Sequence, residues 1–315
     1  MTAQVIPFAR AAEPSLDPLM ALVAEGMNSV NAVILDRMQS RIPLIPALAG
    51  HLIAGGGKRL RPMLTLASAA LLDYPGARHH KLAATVEFIH TATLLHDDVV
   101  DGSELRRGKA AANIVFGNPP TVLVGDFLFS RAFELMVEDG SLKVLRILSN
   151  ASAVIAEGEV DQLTAQRQIE TSEERYLDII GAKTAALFAA ACRIAAVVAE
   201  RDDAIDYDSD ADTMGKGRGD DFREGKMTLP VILAHARGDD DERKFWREAI
   251  AGRRTSEADL AQAIALIRRH DALAATRERA RHFAHRAIDA ISGFPASAAR
   301  AAMIEAAEFA VARRY

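Results

Sequence analysis

Two aspartate clusters are the residues best suited to chemistry: Asp97-Asp98-Val99-Val100-Asp101, followed after a short turn by Arg106-Arg107, and Asp202-Asp203-Ala204-Ile205-Asp206. In a helix, residues four apart share a face, so Asp97 points with Asp101 and Asp202 with Asp206. Like charges at that spacing destabilise a helix, and a cation is the natural compensation. Mg2+ suits the role, because it takes carboxylate oxygens and keeps water and substrate phosphates in its shell. Arginine forks beside it match phosphate oxygens. The chemistry indicated is metal-assisted handling of a diphosphate.

Other segments could serve the same end, and each has a plainer reading. Gly55-Gly56-Gly57-Lys58-Arg59-Leu60-Arg61-Pro62 joins a glycine turn to cations that can converge on an anion, or is simply a solvated basic loop. It is not the Walker pattern, since Leu52 stands where the first glycine belongs and Arg59 where Ser or Thr does. His90 precedes Asp97 by two helical turns, where a structural histidine is the commoner case; His96 lacks the partners of a histidine metal site. Glu157-Gly158-Glu159-Val160-Asp161-Gln162 reads as a solvated helix end or as a way of turning Gln162 toward a metal-diphosphate centre. Gly181-Ala182-Lys183-Thr184 opens an alanine-rich helix, whose positive end could hold a phosphate. The loop from Gly215 to Lys226 offers Lys216 and Lys226, whereas Asp239-Asp240-Asp241 reads as a solvated turn.

The elements that must position these groups read as helices. Alternating apolar and polar runs are scarce, while Leu82, Val86, Ile89 and Thr93 lead down one helical face to Asp97 and Asp101. Similar periods run from Leu19 to Met38, Leu123 to Val137, Val144 to Ala165, Ala258 to Ile267 and Ala301 to Ala312. Breakers at Gly55-Gly56-Gly57, Gly117 to Pro120, Gly215 to Gly219 and Gly293 to Pro295 separate them. The pattern predicts a single all-α domain over residues 16–315 behind a loose extension at 1–15.

With 50% hydrophobic residues the chain can fill a core, and its net charge of −5 argues against general nucleic-acid binding. The single cysteine, Cys192, sits in an apolar run, rules out an internal disulfide and fits the reducing cytoplasm. Neither a secretory leader nor a transmembrane segment is expected, because the apolar run from Thr184 to Ala199 falls short of a span. Peripheral membrane contact stays open.

The order of the motifs is more telling than any one of them. GGGKRLRP, HDDVVDGSELRRG, GEVDQL, GAKTA, DDAIDY and GDDFREGKMTLP together resemble the trans-isoprenyl diphosphate synthase family, in its long-chain (polyprenyl) branch, from about residue 16 to the C-terminus. The resemblance implies an all-α bundle around a central substrate cavity, and a homodimer. It implies that Lys58, Arg61, His90 and Arg107 hold the diphosphate of isopentenyl diphosphate. Asp97, Asp101 and Asp202 would bind the Mg2+ that clamps an allylic diphosphate. Arg106, Lys183, Thr184, Lys216 and Lys226 would contact that diphosphate, with Gln162 beside the metal. Ionisation of the allylic C–O bond, attack by the isopentenyl double bond and loss of a proton would lengthen the chain, with no protein nucleophile. Ala92, five residues before Asp97, is small where bulk tends to stop elongation in this family, and Phe88 lies a turn further on. A long product, of the kind used as a quinone side chain, is expected; a short-chain synthase making farnesyl or geranylgeranyl diphosphate is the alternative.

One departure stands out. The family places a further helix between the lysine helix and the second aspartate cluster, whereas here Val197-Val198-Ala199-Glu200-Arg201 runs directly into Asp202. An unbroken helix from Lys183 would carry Asp202 roughly 28 Å away at ~1.5 Å per residue. Three accounts follow: an early break in the lysine helix, an impaired variant serving as a non-catalytic subunit, or a sequence lacking residues of the natural protein. No Gly or Pro lies between Lys183 and Asp202, which favours an omission or recent deletion over a tuned shorter design.

Overall fold

In the computed structural model, residues 13–54, 56–200, 225–252 and 256–312 are described. The apolar periods become helices α1 (Asp17–Arg37), α2 (Leu44–Ala54), α3 (Leu60–Leu71), α4 (Arg78–Val100), α5 (Ala112–Phe116), α6 (Asn118–Asp139), α7 (Leu142–Ala165), α8 (Glu173–Ile180) and α9 (Ala186–Val198). Helices Leu229–Arg237, Asp240–Ile250, Glu257–Arg269, Ala272–Ser292 and Ala298–Ala312 follow. Local chemistry fixes several ends. Gly140 stops α6 in the left-handed conformation that glycine adopts without strain. The Ser141 hydroxyl then accepts from the Val144 N–H to start α7. Asp239, expected in a solvated turn, instead closes a reciprocal capping box with Glu242 at the head of Asp240–Ile250.

The main core lies between α1, α3, α4, α6, α7 and α9, where Leu19, Leu82, Ile89, Leu95, Leu128, Leu135, Leu148 and Ile194 are fully buried. Here α4 packs most extensively on α6, and α9 on α3 and α7. A second cluster, around Trp246, joins α8 to the helices after residue 228. Within the bundle, α4 carries the first aspartate cluster at its C-terminal end and packs on α6, α3, α1 and α9.

Two features depart from the helical reading. Leu105–Arg106 pairs with Lys109–Ala110 in a two-stranded antiparallel hairpin. Arg107 and Gly108, at its tip, both have positive φ (54° and 75°), as a two-residue type I′ loop requires. Further on, Gly181–Ala185 does not open a helix: it is a π-helical turn joining α8 to α9 in one continuous rod. That rod, Glu173–Val198, is 26 residues long, and it and α1 are both long and apolar enough to cross a bilayer by length and composition. The shorter run read from the sequence missed this because the helix starts before Gly181. Half of the rod's most apolar stretch is buried in the bundle, as in the core helix of a soluble protein.

The lysine helix does not break early. It continues to Val198, about 22 Å along the axis from Lys183 at ~1.5 Å per residue. Glu200 then turns to a φ of 56°. Asp202 and Lys216 lie outside the described residues.

Candidate active site

Two adjoining groups of charged side chains form at the end of α4. In the first, Lys226 Nζ donates to Asp101 Oδ2 at 2.7 Å, although 125 residues separate them. Lys183 Nζ donates to Glu159 Oε2 at 2.7 Å and lies 3.6 Å from Asp97 Oδ2. The Asp97 carboxyl is pushed above its usual range by burial and by repulsion from Asp101, against the pull of Lys183. Glu159 is raised likewise, by burial and then by Asp97.

Lys183 reaches this position because α7 comes unusually close to the π turn. Gly158 makes the approach possible: a Cβ there would lie 2.7 Å from Ala182 Cβ and 2.9 Å from the Lys183 backbone nitrogen. The GAKTA segment therefore presents its lysine from mid-helix. The free N–H groups of a helix start, expected from the sequence, belong elsewhere, because residues 181–185 continue α8. Gln162 and Thr184 are half-buried beside this group.

In the second group, Arg61 Nη1 lies 3.1 Å from His90 Nε2. A guanidinium can only donate, so that ring nitrogen accepts. Burial first, and the neighbouring arginines second, hold the His90 pKa well below its usual value. Arg59, at φ 47° ahead of α3, donates to Asn31 Oδ1 at 2.6 Å, and its Nε stands 3.9 Å from Glu87 Oε1. Arg107 passes over Gly57 so tightly that a Cβ there would fall 2.3 Å from Nη1. Lys58 lies over the Phe309 ring at 4.5 Å, and Arg61 over Phe188 at 4.3 Å.

Asp98 and Arg106 stand between the groups. The Asp98 carboxylate is buried and takes Arg106 Nε at 2.9 Å as well as Nη2, while Asn113 donates to the Asp98 carbonyl. Arg106, expected to face the diphosphate, is thus held by the middle carboxylate of its own motif. A cleft of about 510 Å³ adjoins this pair; its polar wall includes Arg59, Glu87, His90 and Arg107, and its apolar wall includes Ile34, Met38, Phe88 and Leu128. Ala92 is fully buried and is not part of that wall. His96 packs against Gly125 and Asp126 of α6, away from both groups. Cys192 is a half-buried thiol whose pKa burial pushes up, in keeping with an inert role.

Sequence reasoning missed Glu159, Glu87 and Asp98 as partners of the chosen cations, and Arg59 as a further cation of the second group. Only Glu159 left a signal: it lies one residue from a glycine inside an otherwise continuous helical period.

Among the described residues, no three acidic, histidine or cysteine side chains converge on a point that could hold a metal. Asp97 and Asp101 nonetheless present hard carboxylate oxygens, now matched by lysine ammonium groups. One or two carboxylates completed by phosphate and water are a donor set that Mg2+ accepts.

An all-helical bundle with paired carboxylates, convergent lysines and an arginine-lined cleft defines a diphosphate-handling protein, and the chain belongs to the polyprenyl synthetase family. The family model matches residues 42–201 and 200–267, in two stretches that meet where the second cluster arrives early. Octaprenyl diphosphate synthase of Escherichia coli (strain K12) is 42% identical over 324 aligned positions, covering 95% of this chain and 99% of that protein. That alignment exceeds the 315 residues present, so it opens gaps in this chain. The all-trans-nonaprenyl-diphosphate synthase (geranyl-diphosphate specific) of Rhodobacter capsulatus is 39% identical, covering 94% of this chain and 97% of that one. The crystal structure of polyprenyl synthase from Caulobacter crescentus CB15, complexed with calcium and isoprenyl diphosphate, superposes with a TM-score of 0.91 at 50% identity, covering 97% of this chain and all of that one.

Proposed function

We propose that the protein is a Mg2+-dependent prenyltransferase that adds isopentenyl diphosphate to an allylic diphosphate and makes a long-chain all-trans polyprenyl diphosphate. The convergence of Asp97, Asp101, Lys183 and Lys226 from three distant stretches of chain carries the reading. Asp97 and Asp101 would hold the metal, with Asp202 as the further ligand that the family pattern supplies. Bound there, Mg2+ would neutralise charge building on the departing diphosphate.

The chain's own residues divide the remaining work. Lys183 and Lys226, which lie against the carboxylates, would take leaving-group oxygens together with Arg106, Thr184, Gln162 and Lys216. Lys58, Arg61, His90 and Arg107 receive the diphosphate of isopentenyl diphosphate. The apolar wall of the cleft keeps water from an allylic cation. No protein nucleophile is required.

The relatives at 39% to 42% identity are named for eight- and nine-unit products, whereas a geranylgeranyl diphosphate synthase of similar coverage is only 29% identical; this supports a long tail of the kind that serves as a quinone side chain. Incubation of the 315-residue chain with farnesyl diphosphate, labelled isopentenyl diphosphate and Mg2+ is expected to give long products, lost on chelation. Ala92→Phe is expected to shorten them. A folded protein that incorporates nothing overturns the assignment, and products unchanged by Ala92→Phe favour the short-chain alternative. The two-part family match at residues 200–201 gives the non-catalytic-subunit reading its own support, and the same assay decides it.

Homodimerisation is part of the proposal. Leu123, Phe133 and Val137 recur along one exposed face of α6, beside half-buried Phe127 and Phe129. A second copy of the chain is the proposed cover. Light scattering is expected to give a dimer mass for the wild type and a monomer mass for Phe133→Asp. A monomeric wild type sinks this element.

A further inference from the structure

Glu87 is the anion shared by the arginines of the second group. Its side chain is 16% exposed, and Oε2 is shut off from solvent without a hydrogen-bond partner. Arg59 stands 3.9 Å from Oε1; burial pushes the Glu87 pKa up, and Arg59, Arg61 and Arg107 pull it back toward the ionised form. Glu87 lines the cleft together with Arg59, His90 and Arg107.

The arginines have reason to separate. Arg61 has its Nε buried and unpaired, and desolvation pulls its pKa down to about 10, with Glu87 opposing the fall. Arg107 is lowered by burial and by repulsion from Arg106 and Arg59, again opposed by Glu87. Arg107 itself projects from a hairpin tip and passes closely over Gly57. Without the shared anion, the repulsion of Arg107 by Arg106 and Arg59 is left unopposed.

We infer that Glu87 is a positioning residue for the isopentenyl diphosphate site: its buried carboxylate gathers Arg59, Arg61 and Arg107 around the cleft before substrate arrives. The inference rests on the proposed identity of that site. It gives roles to Glu87 and Arg59, to which the motif resemblance gives none. It also runs against the simplest electrostatic expectation. A carboxylate beside a diphosphate repels it, so a Glu87 that did no positioning would weaken binding, and its removal would tighten it.

That opposition makes Glu87→Gln decisive, because glutamine keeps the shape while a neutral amide, with one acceptor oxygen, replaces the charged carboxylate. KM for isopentenyl diphosphate is expected to rise at least about tenfold, the usual consequence of leaving buried charged groups unpaired. KM for the allylic diphosphate and kcat at saturation are expected to stay within about threefold, since the charge lost faces only the second group. Glu87→Asp keeps the charge but withdraws it by one methylene, and is expected to fall between; it also serves should the glutamine variant fold poorly. An unchanged or lower KM for isopentenyl diphosphate overturns the inference, as does an equal rise in both KM values accompanied by a lower melting temperature. Calorimetric titration of the wild type with isopentenyl diphosphate separates the two levels. No binding there overturns the site assignment and the inference with it, whereas wild-type binding matched by Glu87→Gln overturns the inference alone.

Discussion

Exchanging Gly158 for alanine is expected to slow prenyl transfer by one to two orders of magnitude while leaving the protein folded. A Cβ at this position meets Ala182 Cβ at 2.7 Å and the Lys183 backbone nitrogen at 2.9 Å. Neither is the end of a flexible side chain, so the π turn or α7 itself has to move. Such overpacking costs about 1–3 kcal/mol, while the helical gain of alanine over glycine returns about 1 kcal/mol. The net loss of stability is therefore small. The catalytic loss is larger, because the displaced element carries Lys183, and a shift of ~1 Å in a positioning group can cost about 100-fold. Thermal melting and isopentenyl incorporation, run side by side, check this. Wild-type values of both would mean that the close approach of α7 does not set the lysine.

Asp97→Asn is expected to show the same balance even more sharply: activity down by roughly a thousandfold or more, and stability within about 1 kcal/mol of wild type. The activity loss follows from removing a proposed metal ligand while keeping its size. The stability argument turns on Glu159. Breaking a buried ion pair costs about 3–5 kcal/mol when the surviving charge has no other partner. Lys183 has one, since Glu159 accepts from it at 2.7 Å. Asp97 also holds its charge against burial and against Asp101, so losing that charge relieves the folded state. A melting temperature lowered in step with activity would show that Asp97 is a structural ion-pair member first.

The contrast between these positions shows what the sequence could convey. Helices α4, α6 and α7 were legible because an apolar period of 3.6 residues reports which face is buried, and Asp97 and Asp101 share a face by spacing alone. The hairpin was harder to see. It has two residues per strand, too few for alternation to register, and Arg107 gives no composition signal that it occupies a left-handed position. GAKTA was read as a helix start because glycine commonly punctuates helices, yet packing of Gly158 against Ala182 lets α8 run on through it. The motif resemblance implies a place for Arg106 at the diphosphate, and its pairing with buried Asp98 depends on the hairpin folding back over α4. Glu87 lay hidden in a helix otherwise read for its apolar face, and only the meeting of three separate arginines gives it meaning.

The lysine–carboxylate pairs also bear on cooperativity. At the proposed metal site, a divalent cation arriving alone would have to displace the Lys226 and Lys183 ammonium groups from Asp101 and Asp97. One arriving with a diphosphate leaves each displaced lysine a new anion. The difference between those two costs is a coupling free energy, and thermodynamic linkage makes it mutual: whatever tightening the diphosphate confers on the metal, the metal confers on the diphosphate.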